Sequence, residues 1–371
     1  MLPRMSNAPL FPRADFGLPE GIAHVCAGGE PPFLLRHAHA FAAYARDKGE
    51  GLPGRTKQEA EVERVRASLA RRWSCETGDI GLVSSVAEGV SMLAESIDWR
   101  SGDNVLFEPD EYPSVVAPFM AGGRAEIRFK DSANLADLVD ARTRVIGASA
   151  ASYLNGARPD LHLLRKLADS VGAWLVVDYT QAAGWLPIDA RIADFAFAAS
   201  YKWQLGTTGI ATAFWNRERQ PGWVPSSAGW NSIAPGPGRL DYNAGIPLVA
   251  DAMRFCRGNP AHLPLYVLGS ALDYLDQWET PAVQRHVQAL TVALLERLEA
   301  AGIPTITPRD PAAHGASVCV ATPDANAMVV AMGEKGVLAW GGRGRIRFSF
   351  HGYNAMDDVS RIMDALVPAW G

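Results

Sequence analysis

The chain has 371 residues, 48% hydrophobic and 20% charged with the charges well mixed, a balance expected to bury a large core in an ordinary soluble protein with one large and one smaller domain. A formal net charge of -5 and a pI near 5.9 provide no basic face for nucleic acid or an anionic membrane. Cys26, Cys75, Cys256 and Cys319 fall in no CxxC spacing and point to a reducing compartment. The opening segment MLPRMSNAPLFPRADFGLPEG carries prolines and charges without an apolar core, so it reads as neither a signal peptide nor a membrane span, and a cytoplasmic protein is expected.

In chain order, the pattern predicts a charged helix over about 56–75 and then the short apolar strands IGLVS, NVLFE, AEIRF, RVIGAS, WLVVD, DFAFAA and IATAFW. Helical stretches separate most of them, which argues for an α/β fold with a mainly parallel, doubly wound, seven-stranded sheet. Residues 217–265 are rich in Pro, Gly, Trp and Asn without periodicity and read as a long functional loop. An amphipathic helix pair over about 265–301, the strands ASVCVAT and RIRFSF, and a helix over 355–366 suggest a small C-terminal α+β domain. The expected division is an N-terminal segment 1–30 that contributes to the site and the small domain, a large domain 31–260, and a small domain 261–371.

Two strand ends carry the chemistry. WLVVD closes on Asp178, and DFAFAAS runs into Tyr201 and Lys202, 24 residues later (202 minus 178). In an open α/β sheet such ends face the ligand crevice. An amine and a carboxylate delivered there suit pyridoxal phosphate, which needs a Lys for its Schiff base and an Asp to keep the pyridinium nitrogen protonated. Ser84, Ser85, Val86 and Ala87 join a strand to a helix, where free N–H groups and the helix dipole can hold a phosphate. Ser85-x-x-Glu88 is equally a capping box. No Cys, His and carboxylate grouping has metal-ligand spacing, and GGRG at 341–344 lacks the following helix of a dinucleotide fingerprint.

The runs VVDYTQAAGWLPID and DFAFAASYKWQLGTTGIATAFW, the segments SSVAEGVSMLAESIDWRSGDNVLFEPDEYPS and RFCRGNP, and the close IRFSFHGYNAMDDVSRIMDAL together resemble the class V aminotransferase family. That is the fold-type I pyridoxal phosphate group containing cysteine desulfurases, kynureninase and isopenicillin epimerase-like proteins. The resemblance implies a homodimer with active sites at the subunit interface and an α-amino acid substrate. It implies that Lys202 forms the Schiff base, Asp178 pairs with the ring nitrogen, and Gln181 bonds the phenolate oxygen or the imine. Tyr112, where relatives more often have His, would stack on the ring, Tyr201 would bind the phosphate, and Asn259 would reach the phosphate of the opposite subunit. Arg347 matches the Arg that binds the substrate α-carboxylate through two parallel hydrogen bonds. Ala27, Gly28, Tyr153 and Asn155 complete the implied substrate site.

Bland alternatives accompany these roles. Gln181 and Asn259 can satisfy loop backbone, Tyr112 can be core packing, and of Arg343, Arg345 and Arg347 two are expected to be solvated. His351 reads as a satisfied strand-end residue. Transamination, lyase chemistry and epimerisation share the same cofactor motifs, with transamination the first choice, and a catalytically silent relative used as a binding module is the reading from another class. VLAWGGRGRIR, the stretch before Arg347, lacks the Cys that a desulfurase uses there, and Cys319 and Cys256 are not placed to replace it.

Overall fold

The structure, a computed structural model, describes residues 8–236 and 238–370. The first seven residues of the N-terminal segment lie outside the described residues. Strand β1 (Ala23–His24) and helices α1 (His37–Gly49) and α2 (Leu52–Arg72) come first. The alternating part follows as β2 (Ile80–Val83), α3 (Val86–Ser96), β3 (Asn104–Phe107), α4 (Pro113–Gly122), β4 (Glu126–Phe129), β5 (Thr143–Ser149), α5 (Leu161–Val171), β6 (Trp174–Asp178), β7 (Phe195–Ala199) and β8 (Ala211–Trp215). The C-terminal part contains α6 (His262–Leu275), α7 (Thr280–Ala300), β9 (Ser317–Ala321), α8 (Ala325–Glu334), β10 (Val337–Leu338), β11 (Trp340–Gly342), β12 (Arg345–Ser349) and α9 (Met356–Trp370).

The main sheet has seven strands in the order β2-β8-β7-β6-β5-β3-β4, and only the pairs made by β8 are antiparallel. Apart from the edge strand β4, whose Glu126 and Arg128 alternate with apolar residues, its strands are mainly apolar without alternation because helices cover both faces. Val105, Phe107, Val145, Val176, Phe195 and Phe197 pack toward α3 and α4, while Leu106, Ile146, Leu175, Val177 and Ala196 pack toward α2, α5 and α6. A third core joins Phe11, Phe16, Val25 and Leu34 to α7, α9 and the antiparallel sheet β11-β12-β9. Trp203 and Leu205 enter that core, so the turn that carries Lys202 is clamped between the main sheet and the C-terminal layer.

Helix α1 is absent from the sequence reading because it has no broad apolar stripe. Only His37, Ala40 and Asp47 of it are buried, and it is anchored by a polar contact, the Tyr266 hydroxyl donating to Asp47 at 2.7 Å. Helix α2 starts earlier than position 56, since Gly51 takes a left-handed φ of 65° and a proline occupies the first turn. Within 217–265 the described residues form the short 3-10 turns Trp230–Ser232, Tyr242–Ala244 and Ala252–Phe255, and α6 already begins at His262. Helix α9 runs past 366 to Trp370. Among the described residues no helix is long and apolar enough to cross a membrane, and no group of three or more His, Cys, Asp or Glu could hold a metal ion.

Candidate active site

The C-terminal ends of β2, β3, β5, β6 and β7 open on one side of the sheet. Ser149 lies opposite Asp178 across β5 and β6, and Asp178 lies opposite Phe197 across β6 and β7. Asp178 accepts a hydrogen bond from Thr180 N at 2.8 Å, and Thr180 Oγ1 accepts from Ala199 N at 2.9 Å, which ties the turn after β6 to the end of β7. Lys202 follows three residues after that end and is 6% exposed.

Burial pushes the Asp178 carboxyl up, against the opposing effects of Thr180 and the Lys202 charge. The Lys202 amine is lowered to about 8, first by burial and second by the charge of Arg347, with Asp178 acting in the other direction. No ion pair within 4.0 Å joins the two groups. A buried carboxylate and a buried amine that share a crevice without pairing are the donor set a protonated pyridine and an aldehyde require, so the residues present fit pyridoxal phosphate. Lys202 Nζ lies 5.3 Å from the centroid of the Tyr112 ring and 5.4 Å from that of Tyr201. Burial pushes the Tyr201 phenol up.

Tyr112 is the N-cap residue of α4 and meets Tyr153 edge to face at 4.9 Å. Beside it is a residue that the sequence reading passes over. Glu111 accepts from Ser149 Oγ at 2.5 Å, from Tyr112 N at 2.5 Å and from Ser149 N at 2.7 Å. Burial raises its carboxyl to about 7, and the nearby Asp178 pushes the same way. The DEYPS motif held this signal, because an acidic residue next to the ring-stacking position is delivered to the same strand ends.

The capping reading of the β2–α3 junction is present in the structure. Ser85 caps α3 by accepting from Glu88 N at 3.2 Å, and the Glu88 carboxylate returns to Ser84, accepting from N at 2.7 Å and Oγ at 2.5 Å. Its other oxygen accepts from Arg257 at 2.5 Å. The first-turn N–H groups of Val86 and Ala87 precede the reach of any intrahelical acceptor.

Gln181 joins the N-terminal loop to the lysine turn, donating to Gly28 O at 3.0 Å and accepting from Trp203 Nε1 at 3.0 Å. Gly28 is required there, since a Cβ would lie 2.7 Å from Ser349 Oγ, 3.0 Å from Gln181 Oε1 and 3.4 Å from Arg347 Cζ. Ala27 is buried and donates to Ser349 O at 3.3 Å. Arg347, 5% exposed, donates to Tyr153 O at 2.9 Å and lies 5.2 Å from the Trp340 ring, with no carboxylate partner among the described residues. Asn155 uses its side-chain oxygen to cap Ala157 N at 2.8 Å. Asn259 is exposed and accepts from Arg55 at 2.7 Å, and no contact joins it to the group around Lys202.

One expectation is corrected. Of Arg343, Arg345 and Arg347 the alternation predicts two solvated, but only Arg343 is exposed, and Arg345 is 1% exposed. Residues two apart on a strand share a face, and the face of β12 that carries Arg345 and Arg347 is covered by Trp340 and Tyr153. His351 is a satisfied strand-end residue, with Nε2 on Trp203 O and Nδ1 accepting from Gly352 N, each at 2.8 Å. Cys319 is fully buried and its thiol is pushed up to about 11, which makes it inert. Cys26 is the thiol of this neighbourhood: a Cβ on Gly29 would lie 3.2 Å from its sulfur and 3.6 Å from Arg347 Nη2. In the sequence it reads only as one of four free thiols, although it directly precedes Ala27 and Gly28.

The family profile described as Aminotransferase class-V matches residues 50–362. A probable cysteine desulfurase of Pyrococcus abyssi is 24% identical over 336 residues, covering 82% of each chain. The kynureninase of Pseudomonas fluorescens is 26% identical over 365 residues, covering 90% of this chain and 84% of its own. A solved C-DES variant with glycine covalently linked to its PLP cofactor superposes with a TM-score of 0.87 at 20% identity, over 96% of this chain and 99% of that one, and thus shares the fold. With the sheet order, the match over 50–362 and the unpaired Asp178 and Lys202 in one crevice, the chain belongs to the aminotransferase class-V family and is a pyridoxal-phosphate-dependent enzyme of fold-type I.

Proposed function

We propose that the enzyme binds an α-amino acid by its carboxylate at Arg347 and transforms it at Cα, with transamination as the outcome. The observation that carries this reading is the Arg347 guanidinium, buried without a carboxylate partner close enough to Lys202 to depress its amine. A buried unpaired cation is costly to fold and is relieved by an anionic ligand. Guanidinium matches a carboxylate with two parallel donors.

Lys202 would hold the cofactor covalently, Tyr112 would cover its ring, and Tyr201 with the first turn of α3 at Ser85, Val86 and Ala87 would take its phosphate. When bound, pyridoxal phosphate supplies the electron sink for a bond broken at Cα. Asp178 would keep the ring nitrogen protonated, and Gln181, already fixed by Gly28 and Trp203, would orient the cofactor's polar edge. The Lys202 amine, lowered to about 8, is suited to take the Cα proton and return it. Ala27, Gly28, Tyr153 and Asn155 would line the substrate side. Asn259, exposed in the single chain, would serve the phosphate of a second copy in a homodimer. The large unit would span 31–260 and the small one 261–371, and four unpaired thiols suit a cytoplasmic setting.

A second reading is a lyase, in which the bond broken lies beyond Cα. The half-buried Cys26 beside Arg347 supports it, as do relatives named for such chemistry. One experiment separates the readings. Purified enzyme loaded with pyridoxal phosphate is given a panel of amino acids with and without a 2-oxo acid acceptor. Oxo-acid product formed only with the acceptor supports transamination, and ammonia or sulfide released without it moves the assignment to the lyase. A colourless protein that takes up no cofactor would sink both.

A further inference from the structure

Among the described residues four arginines are less than 10% exposed, and they divide in two. Arg66 donates to Glu63 at 2.7 Å and to Asp251 at 2.6 Å, and Arg165 pairs with Asp194 at 2.5 Å and Asp169 at 2.8 Å. Arg345 and Arg347 have no carboxylate within 4.0 Å. They stand two apart on β12, and both donate to one atom, Tyr153 O, at 3.2 and 2.9 Å. Two nitrogens held on one oxygen are no farther apart than those distances together, so the two cations lie within the span of one small molecule.

Aromatic rings are the main relief. Trp340 is 4.8 Å from the Arg345 guanidinium and 5.2 Å from that of Arg347, and the Tyr153 ring is 5.2 Å from Arg345. Cation–π contact offsets only part of the desolvation of a buried charge. Nε and Nη1 of Arg345 and Nε of Arg347 have no hydrogen-bond partner among the described residues. Burial holds both guanidiniums below the usual arginine range, and for Arg345 the neighbouring Arg347 charge adds to the effect. Three unsatisfied donors and two like charges on one face are the imprint of a doubly anionic guest.

We propose that Arg345 is a specificity-determining residue that takes a second carboxylate, on the side chain of an amino acid whose α-carboxylate sits at Arg347. The substrate class is then the dicarboxylic α-amino acids and their 2-oxo counterparts. This rests on the Arg347 reading above and goes beyond it in naming the side chain. Tyr153 sets the distance between the two cations by holding both on its carbonyl. Amides and small neutral amino acids leave Arg345 unpaired and are disfavoured for that reason.

The test uses the loaded enzyme and two readouts. Binding of maleate and of propionate is measured by calorimetry, and turnover is compared for aspartate, glutamate, asparagine, glutamine and alanine. Wild type should prefer the dicarboxylates in both. Arg345→Gln should lower kcat/KM for the dicarboxylates by about a hundredfold, the usual scale for unpairing a buried charge, and lower it far less for alanine, so that the preference for dicarboxylates collapses. Arg345→Met should match wild type in thermal midpoint without ligand or exceed it, so a folding defect is separable. Equal binding of maleate and propionate, both lost in Arg347→Gln, would overturn the Arg345 assignment and leave the α-carboxylate reading standing. Binding indifferent to Arg347→Gln would overturn both. Dimer dissociation in Arg345→Gln with dicarboxylate preference intact would assign the residue to a subunit contact and refute the proposal.

Discussion

Strands β6 and β7 have two polar ends, and the ends are built on opposite plans. At the N-terminal end Asp194, wholly buried, accepts from Leu175 N at 2.7 Å, Gln220 at 2.7 Å, Arg165 at 2.5 Å and Arg219 at 3.3 Å. At the C-terminal end Asp178 and Lys202 are as deeply buried but unpaired, and Arg345 and Arg347 stand over the crevice with unused donors. Each buried group at the first end has its partner in the chain, so removing one leaves another exposed to a low-dielectric interior. The groups at the second end have no ion-pair partner, and burial without one shifts the acidities of Asp178 and Lys202. Ion-paired groups hold the sheet together, while buried charges without an ion-pair partner mark the place where a cofactor and substrate complete the structure.

The sharpest way to break this contrast is to remove one charge from each end. Lys202→Ala should reduce turnover at least about 1,000-fold, within the range for loss of a positioned acid–base group. Its thermal midpoint should hold or rise, since the lost amine was buried without an ion pair. Borohydride reduction and peptide mapping of the wild type should find the cofactor on Lys202 and nowhere else. A variant that unfolds, or cofactor on another lysine, would erase the distinction between the ends.

The reciprocal experiment is Asp194→Ala. It takes from Arg165, which is 9% exposed, the closer of its two carboxylates and frees Leu175 N, so stability should fall by about 3 kcal/mol, the upper end of the cost of leaving a buried donor unsatisfied. Denaturant melts measure the fall. Turnover per folded molecule should change little, because the network lies at the far end of the strands from Lys202. A large loss of turnover with unchanged melts would reverse the argument.

What was legible in the sequence follows the same division. The seven strands could be read because parallel strands buried on both faces are short apolar runs, and Asp178 and Lys202 because they end two such runs. The buried state of Arg345 was not legible: a charged residue alternating with apolar ones looks solvated until Trp340 and Tyr153 are brought over it from 187 residues apart (340 minus 153). Glu111 was hidden likewise, since its shift arises from burial by segments distant in sequence, with Ser149 on a different strand opposing it. Local patterning reports a segment's own period. Long-range cover over a charge does not.

Acidity profiles sharpen the contrast further. Cofactor uptake by the cofactor-free protein should quicken with pH through about 8 as the Lys202 amine loses its proton. Because that amine is lowered from 10.5, the folded state holds fewer protons than the unfolded one between about 8 and 10.5, and its contribution to stability rises with pH across that window. Glu111 acts with the opposite sign. Its carboxyl is raised from 4.5 to about 7, so its contribution is greatest below 4.5 and is lost as pH rises to 7. Comparing melts of wild type and Glu111→Gln across pH 4.5 to 7 isolates this slope. A variant with the same slope as wild type would remove Glu111 from the set of groups under strain.

The smallest effect concerns the loop that closes the crevice. Gly28→Ala places a methyl 2.7 Å from Ser349 Oγ and 3.0 Å from Gln181 Oε1, and both atoms belong to well-anchored side chains. The loop must therefore shift by a few tenths of an ångström, at about 1–3 kcal/mol for overpacking. The shift moves the Gly28 carbonyl that accepts from Gln181 Nε2 and presses on Arg347 Cζ, which the new carbon would approach at 3.4 Å. Substrate binding should weaken about tenfold with cofactor absorbance retained, which a titration followed in the visible spectrum reads directly. Loss of cofactor with intact substrate affinity would place the loop on the cofactor side of the crevice rather than on the side of Arg347.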